Sequence, residues 1–312
     1  MLHSHLLRLT LSGAVSLLAL SLGAQESPFQ VAASVAFTEG PAIYKDGSVF
    51  FTEMESDRIL RRFPDGTVTV FRTGSNNTNG LLFDHQWRLV MCEMSDEALN
   101  RPRVTRLNLE TGAVEVLAER IQGKTINAPN DVAIDRQGRL YFTDFDRTGA
   151  DRIGTPGVYR IDPDGQVHRL LGPPDVQRPN GIVLSPDQKT LYLVEAHPGE
   201  QGNRHIRAYD LADGALSNMR VIHNFFPGRS ADGMCVDPKT GNLYAAAGLN
   251  RRRGSPETLD TKAGLYAFSP TGKLLHFYPI WEDTVTNCTI SNTEPRIVYV
   301  TAGKLLLTMP IK

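Results

Sequence analysis

The sequence predicts an all-β fold, a six-bladed β-propeller of four-stranded blades in which an N-terminal segment closes the last blade. Three observations carry this. A short segment, one polar residue leading into apolar ones, recurs as TEGPAIY at Glu39, TNGLLFD at Asn79, PNDVAID at Asn130, PNGIVLS at Asn180, ADGMCVD at Asp232 and TNCTISN at Asn287. The five steps from Glu39 to Asn287 span 248 residues, a mean of about 50, which is a propeller-blade period. SVFFTE, RLVMCE, RLYFTD, TLYLVE, NLYAAA and IVYVTA keep step with it, each ending 14 or 15 residues after the polar residue of its own repeat. Finally, Asp65-Gly66, Thr111-Gly112, Asp164-Gly165, Asp213-Gly214 and Thr271-Gly272 recur once in each of the first five repeats as hairpin turns.

Taken in chain order, residues 1–24 stand apart. A weakly basic start, MLHSHLLR, precedes a largely apolar run of 14 residues, Leu9–Leu22, and the small-residue stretch Leu22-Gly23-Ala24. That order matches a secretory signal peptide cleaved before Gln25. The alternative, a membrane anchor, needs about 20 apolar residues. The mature domain is therefore expected over 25–312, extracytoplasmic, with no membrane span after cleavage.

Phe29–Ser34 is a strand-like segment ahead of the first repeat. Each repeat then supplies an inner strand, a second strand rich in β-branched and aromatic residues, and a third such as ILRRF, VTRLNL or VYRID. The first five continue through their glycine turn into a fourth strand. The sixth stops at LLLTM, so Phe29–Ser34 is expected to complete it, and ring closure then leaves only short edges. Asn180-Gly181 resembles a hairpin turn in isolation, but its register with the other repeats places it at a strand entrance.

Composition narrows the function. A net charge of −1 over 312 residues argues against nucleic-acid binding. The three cysteines, Cys92, Cys235 and Cys288, cannot form a fully paired framework and sit in apolar contexts, so they read as small buried hydrophobes. Neither CxxC nor HExxH spacing is present.

The first strand of each blade lines the central channel, so the six polar residues are expected around one mouth. All bear oxygen and none is basic. Any one of them could simply cap a strand or hold channel water; six in register, with two acids, suit Ca²⁺, which takes 6–8 oxygen ligands. Another divalent cation is possible, with Mg²⁺ the weaker candidate. The long connections between second and third strands emerge on the same rim and should wall a pocket there.

At this level of detail the chain resembles the gluconolactonase/regucalcin (senescence marker protein) family of calcium-dependent lactonases. The matching segments, from FTEGPAIYKDG through RPNGIVLSPDQKTLYLVE to TNCTISN, run in order along nearly all of the expected mature chain. The resemblance implies metal ligands at Glu39, Asn180 and Asp232, with Asn130 ligating metal or contacting substrate. Ala128 stands where animal members carry a substrate-binding arginine, and Trp87 occupies a turn position often held by glycine. Asp232 is the catalytic candidate, as base or nucleophile. Asn130, Asp144, Arg101 and His197 are candidates for substrate contact. The expected reaction is hydrolysis of a sugar-acid lactone, a small-molecule substrate; arylesterase or phosphotriesterase chemistry at the same metal, and a non-catalytic binding propeller, are the alternatives.

Overall fold

A computed structural model of the chain describes residues 27–95 and 100–311. The expected leader lies outside the described residues. Six four-stranded antiparallel sheets form the blades of a propeller. Their inner strands are Thr38–Ile43, Thr78–Phe83, Pro129–Ile134, Pro179–Leu184, Ala231–Val236 and Val285–Ile290. In the sixth sheet Gln30–Ser34 pairs with Leu305–Pro310 as the outermost strand, so the N-terminal segment closes the ring as expected. A two-stranded ribbon, Arg120–Ile121 with Lys124–Thr125, lies outside the blades and had no signature in the repeat. Among the described residues no helix is long and apolar enough to cross a membrane.

The alternation of each strand decides where its side chains go. Second strands such as Val49–Glu53 and Leu140–Asp144 are buried at every position because neighbouring blades cover both faces. Outermost strands such as Val68–Thr73 are half solvated. The core is a series of inter-blade clusters. One packs Val90, Cys92 and Val104 of the second blade against Val132, Phe142 and Tyr159 of the third.

The five glycine pairs lie in hairpin turns between third and fourth strands as expected, though the turns differ in type. Only Asp213-Gly214 has both residues at positive φ, 47° and 76°, closing a two-residue turn between Ala212 and Ala215. The other four glycine turns have positive φ at the glycine alone, which belongs to longer loops. Trp87 has φ 60°, where the equivalent turns have Gly47, Gly138 and Gly241. It packs edge-on against Tyr44, with ring centroids 5.8 Å apart, which offsets part of the left-handed strain.

Candidate active site

Every inner strand carries a bulge near its entrance. The ladder is regular at Thr78, Pro129, Pro179 and Ala231, then shifts and resumes three residues later, and in the first blade it is regular through Glu39 and resumes at Ala42. Asn79, Asn130, Asn180 and Asp232 fall inside these shifts, and Glu39, still paired with Thr52, borders the first. A bulge re-aims side chains that a regular pleat would send elsewhere, and all five line one cavity of about 400 Å³ at the channel mouth. Asn180-Gly181 is thus strand, not turn. A Cβ on Gly181 would stand 2.8 Å from the Asp232 carbonyl oxygen and 2.9 Å from Gly233 Cα, so glycine lets adjacent inner strands close up at the axis.

The sixth member of the expected ring is displaced by one residue. Thr38, Thr78, Pro129 and Pro179 pair with the last acidic residue of their second strands, and Val285 pairs likewise with Ala302. The blade-six equivalent of Glu39 is therefore Thr286, and Asn287 corresponds to Asp131. Local hydrogen bonds agree. Thr143 Oγ1 accepts from the Asp131 N–H and Thr301 Oγ1 from the Asn287 N–H, while Asp131 and Asn287 each accept from the following N–H. A one-residue slip sends a side chain to the other face, and Asn287 lines the opposite part of the channel with Asp131.

Asp232 is held from two sides. Its Oδ1 accepts from Asn180 Nδ2 at 2.6 Å, and its Oδ2 accepts from the Arg229 guanidinium at 2.5 Å. Since Asn180 meets Asp232 through its amide nitrogen, its amide oxygen, which accepts from none of the described residues, can serve another partner. Glu39 is buried and accepts a long hydrogen bond of 3.3 Å from the Gly40 N–H. Burial first, and the nearby Asp232 charge second, push its carboxyl well above the usual range. A buried carboxylate beside a second carboxylate, with amide oxygens at hand, is a donor set that a hard divalent cation would satisfy. Among the described residues no cluster of three or more His, Cys, Asp or Glu side chains surrounds a common point. The fit rests on two acids plus amides.

The acids ending the second strands position the entrances. Asp144 accepts from the Asn127 and Ala128 N–H groups at 2.9 and 2.6 Å, just before Asn130. Glu195 accepts from the Gln177 and Arg178 N–H groups at 2.8 and 3.3 Å, just before Asn180. Burial pushes the Asp144 carboxyl up to about 7 despite those amides. Asp144 thus grips backbone behind the site and does not line the cavity. Nor do Arg101 and His197. Arg101 pairs with Glu119 at 2.8 Å on the surface, and His197 Nδ1 accepts from the Gly199 N–H at 3.1 Å.

The arginines abundant in these loops divide similarly. Arg103 pairs with Glu93, while Arg147, Arg152 and Arg204 donate to backbone carbonyls. Those facing the cavity are Arg178, Arg229 and Arg253. Arg178 lies over the Phe145 ring, 4.3 Å from its centroid, and 3.7 Å from Asp146. It stands two residues before Asn180, the same offset that Ala128 has from Asn130, one blade earlier. That offset was the signal available in the sequence. Phe37, Met54, Met94 and Phe145 form an apolar wall facing the polar floor.

A family model described as "SMP-30/Gluconolactonase/LRE-like region" matches residues 37–304. The chain belongs to this family. It is 26% identical over 279 residues to a gluconolactonase of Zymomonas mobilis, an alignment covering 80% of this chain and 71% of that one. It is 25% identical over 214 residues to the lactonase drp35 of Staphylococcus epidermidis, covering 67% of this chain and only 62% of the relative. Among solved structures, a gluconolactonase from Xanthomonas campestris superposes with a TM-score of 0.76 at 29% identity, covering 91% of this chain and 89% of that one. A calcium-binding regucalcin from Agrobacterium tumefaciens superposes with a TM-score of 0.68 at 18% identity, covering 90% and 92%, and shows the shared fold. The family's gluconolactonases and lactonases are hydrolases of lactone esters.

Proposed function

We propose that this protein is a calcium-dependent lactonase that opens a sugar-acid lactone to its hydroxy acid. The observation carrying this reading is the convergence of Glu39, Asn130, Asn180 and Asp232 on one cavity, each from the bulged entrance of a different inner strand. These four residues would hold the cation, which supplies polarisation of the lactone carbonyl and stabilisation of the developing oxyanion. Ca²⁺ suits them better than Mg²⁺, because carboxylate and amide donors on four separate strands meet a flexible coordination demand more readily than an octahedral one.

The chain's own groups supply the rest. Among the described residues Asp232 is the only acid besides Glu39 and Glu257 lining the cavity, and Asn180 and Arg229 fix the orientation of its carboxylate. It accepts the proton of the attacking water. The apolar wall takes the C–H face of the ring and excludes water from it. Arg178 and Arg253 place positive charge where the product carboxylate and ring hydroxyls emerge, and Arg178 takes over the substrate contact that Ala128 cannot make. The leader-like first 24 residues support an extracytoplasmic site of action.

The reading is tested by assaying aldonolactones, aryl esters and phosphotriesters side by side, with Ca²⁺ and with chelator. Calcium-dependent opening of the lactones, with the other two classes slower, is expected. Preference for an aryl ester or phosphotriester would move the protein to a different ester chemistry, and no turnover of any class would leave a binding propeller.

A further inference from the structure

Outside the candidate site, the inner strands of blades five and six bring two thiols together. Cys235 of Ala231–Val236 and Cys288 of Val285–Ile290 have their Sγ atoms 3.2 Å apart, inside ordinary van der Waals contact for two sulfurs. Both line the cavity of about 290 Å³ on the far part of the channel, away from the proposed cation ligands. Cys235 is partly exposed there and Cys288 is buried, with its thiol donating to the Tyr244 carbonyl at 3.2 Å. The third cysteine, Cys92, is buried between blades two and three.

This geometry is close to a cross-link. A disulfide has its sulfurs about 2.03–2.05 Å apart, so closure requires each sulfur to move by roughly half an ångström. The two residues are 53 apart in sequence, and a link closing a loop of that length removes much of the unfolded chain's freedom. It would also act where the ring needs it. Blade six is the sheet closed non-covalently by Gln30–Ser34, and the link would fasten it to blade five as well.

We propose that Cys235 and Cys288 are a disulfide site that staples the ring-closing blade to its neighbour in an oxidising compartment. The oxidant is an organic disulfide, RSSR, acting by exchange. The Cys235 thiolate attacks one sulfur of RSSR and releases RS⁻, leaving a mixed disulfide at the more accessible cysteine. The Cys288 thiolate then displaces the second RS⁻. The two thiol protons end on the two RSH released, and RSSR takes the two electrons. This assignment is independent of the lactonase reading.

The test is a thiol count on the full-length protein equilibrated with a glutathione buffer of oxidising composition, then alkylated in denaturant. One alkylated cysteine, Cys92, is expected, together with a non-reduced tryptic species joining residues 230–239 to 274–296 at two hydrogens below the summed mass. The C92S variant should then show no alkylated cysteine. Reducing the wild type should lower its melting temperature by about 5 °C, a difference that C288S should lack. Three alkylated cysteines, glutathione retained on Cys235, or an unchanged oxidation-dependent melting shift in C288S would each overturn the proposal.

Discussion

At Asn180 the same side chain orients Asp232 through its nitrogen and offers its oxygen to the cavity. N180A should therefore loosen Ca²⁺ about tenfold or more by calorimetric titration, while the melting temperature of the calcium-free protein moves by no more than a few degrees. Gly181 beside it behaves oppositely. In G181A the new Cβ meets backbone of the next inner strand, so both Ca²⁺ affinity and stability should fall, the latter by about 1–3 kcal/mol. Asp131, like Asp144, is a residue where pH is read. Burial pushes its carboxyl up to about 7, so the folded chain retains a proton that the unfolded chain has released. The stability held by that proton is complete below the ordinary aspartate pKa and is lost as pH rises through 7. Asn287 occupies the equivalent position in blade six, so D131N should fit. In calcium-free buffer D131N should gain on the wild type between pH 5 and pH 8, by about 3 kcal/mol at most. Parallel melting curves for the two proteins across that range would contradict the assignment.

Within the blades, strand order was legible because each strand repeats with its own residue types: polar entrance, β-branched second strand, glycine turn. What the repeat could not convey was register at one entrance. TNCTISN looks like TNGLLFD, and matching the two asparagines selected Asn287, whereas the strand pairing selects Thr286. The second-strand acids were visible as FTE, MCE, FTD and LVE, but their work is three-dimensional. Asp144 and Glu195 hold amides preceding their own inner strands, a contact that sequence spacing does not announce. Arg101 and His197 have the polar chemistry of substrate-contacting residues, but the fold spends one on a surface ion pair and the other on its own loop. Arg204 shows the same diversion on a larger scale. It is fully buried and donates to the carbonyls of His197, Pro198, Gly199 and Pro227, tying the loop bearing cavity-lining Pro198 to the segment that leads to Arg229. R204A would leave those carbonyls buried and unpaired. A loss of about 2–4 kcal/mol in chemical denaturation is expected, with a raised KM as the wall loosens.

On the scale of the whole molecule, a closed ring turns six similar strands into one asymmetric site. Five entrances converge on the mouth, and four of them differ just enough, as Glu39, Asn130, Asn180 and Asp232, to supply two charges and two amides. The ring holds these residues on strands rather than loops, so D232N should keep its cation-free melting temperature within a few degrees while losing about 10³-fold in kcat. The central claim joins the cation to the reaction at that mouth. It is tested most directly by titrating Ca²⁺ into chelator-treated protein while following opening of gluconolactone. Activity should be absent before the titration, with the β-sheet circular dichroism intact, and should rise to saturation with Ca²⁺ in the wild type but not in D232N. Full turnover in the chelated protein, or equal turnover by D232N, would contradict it.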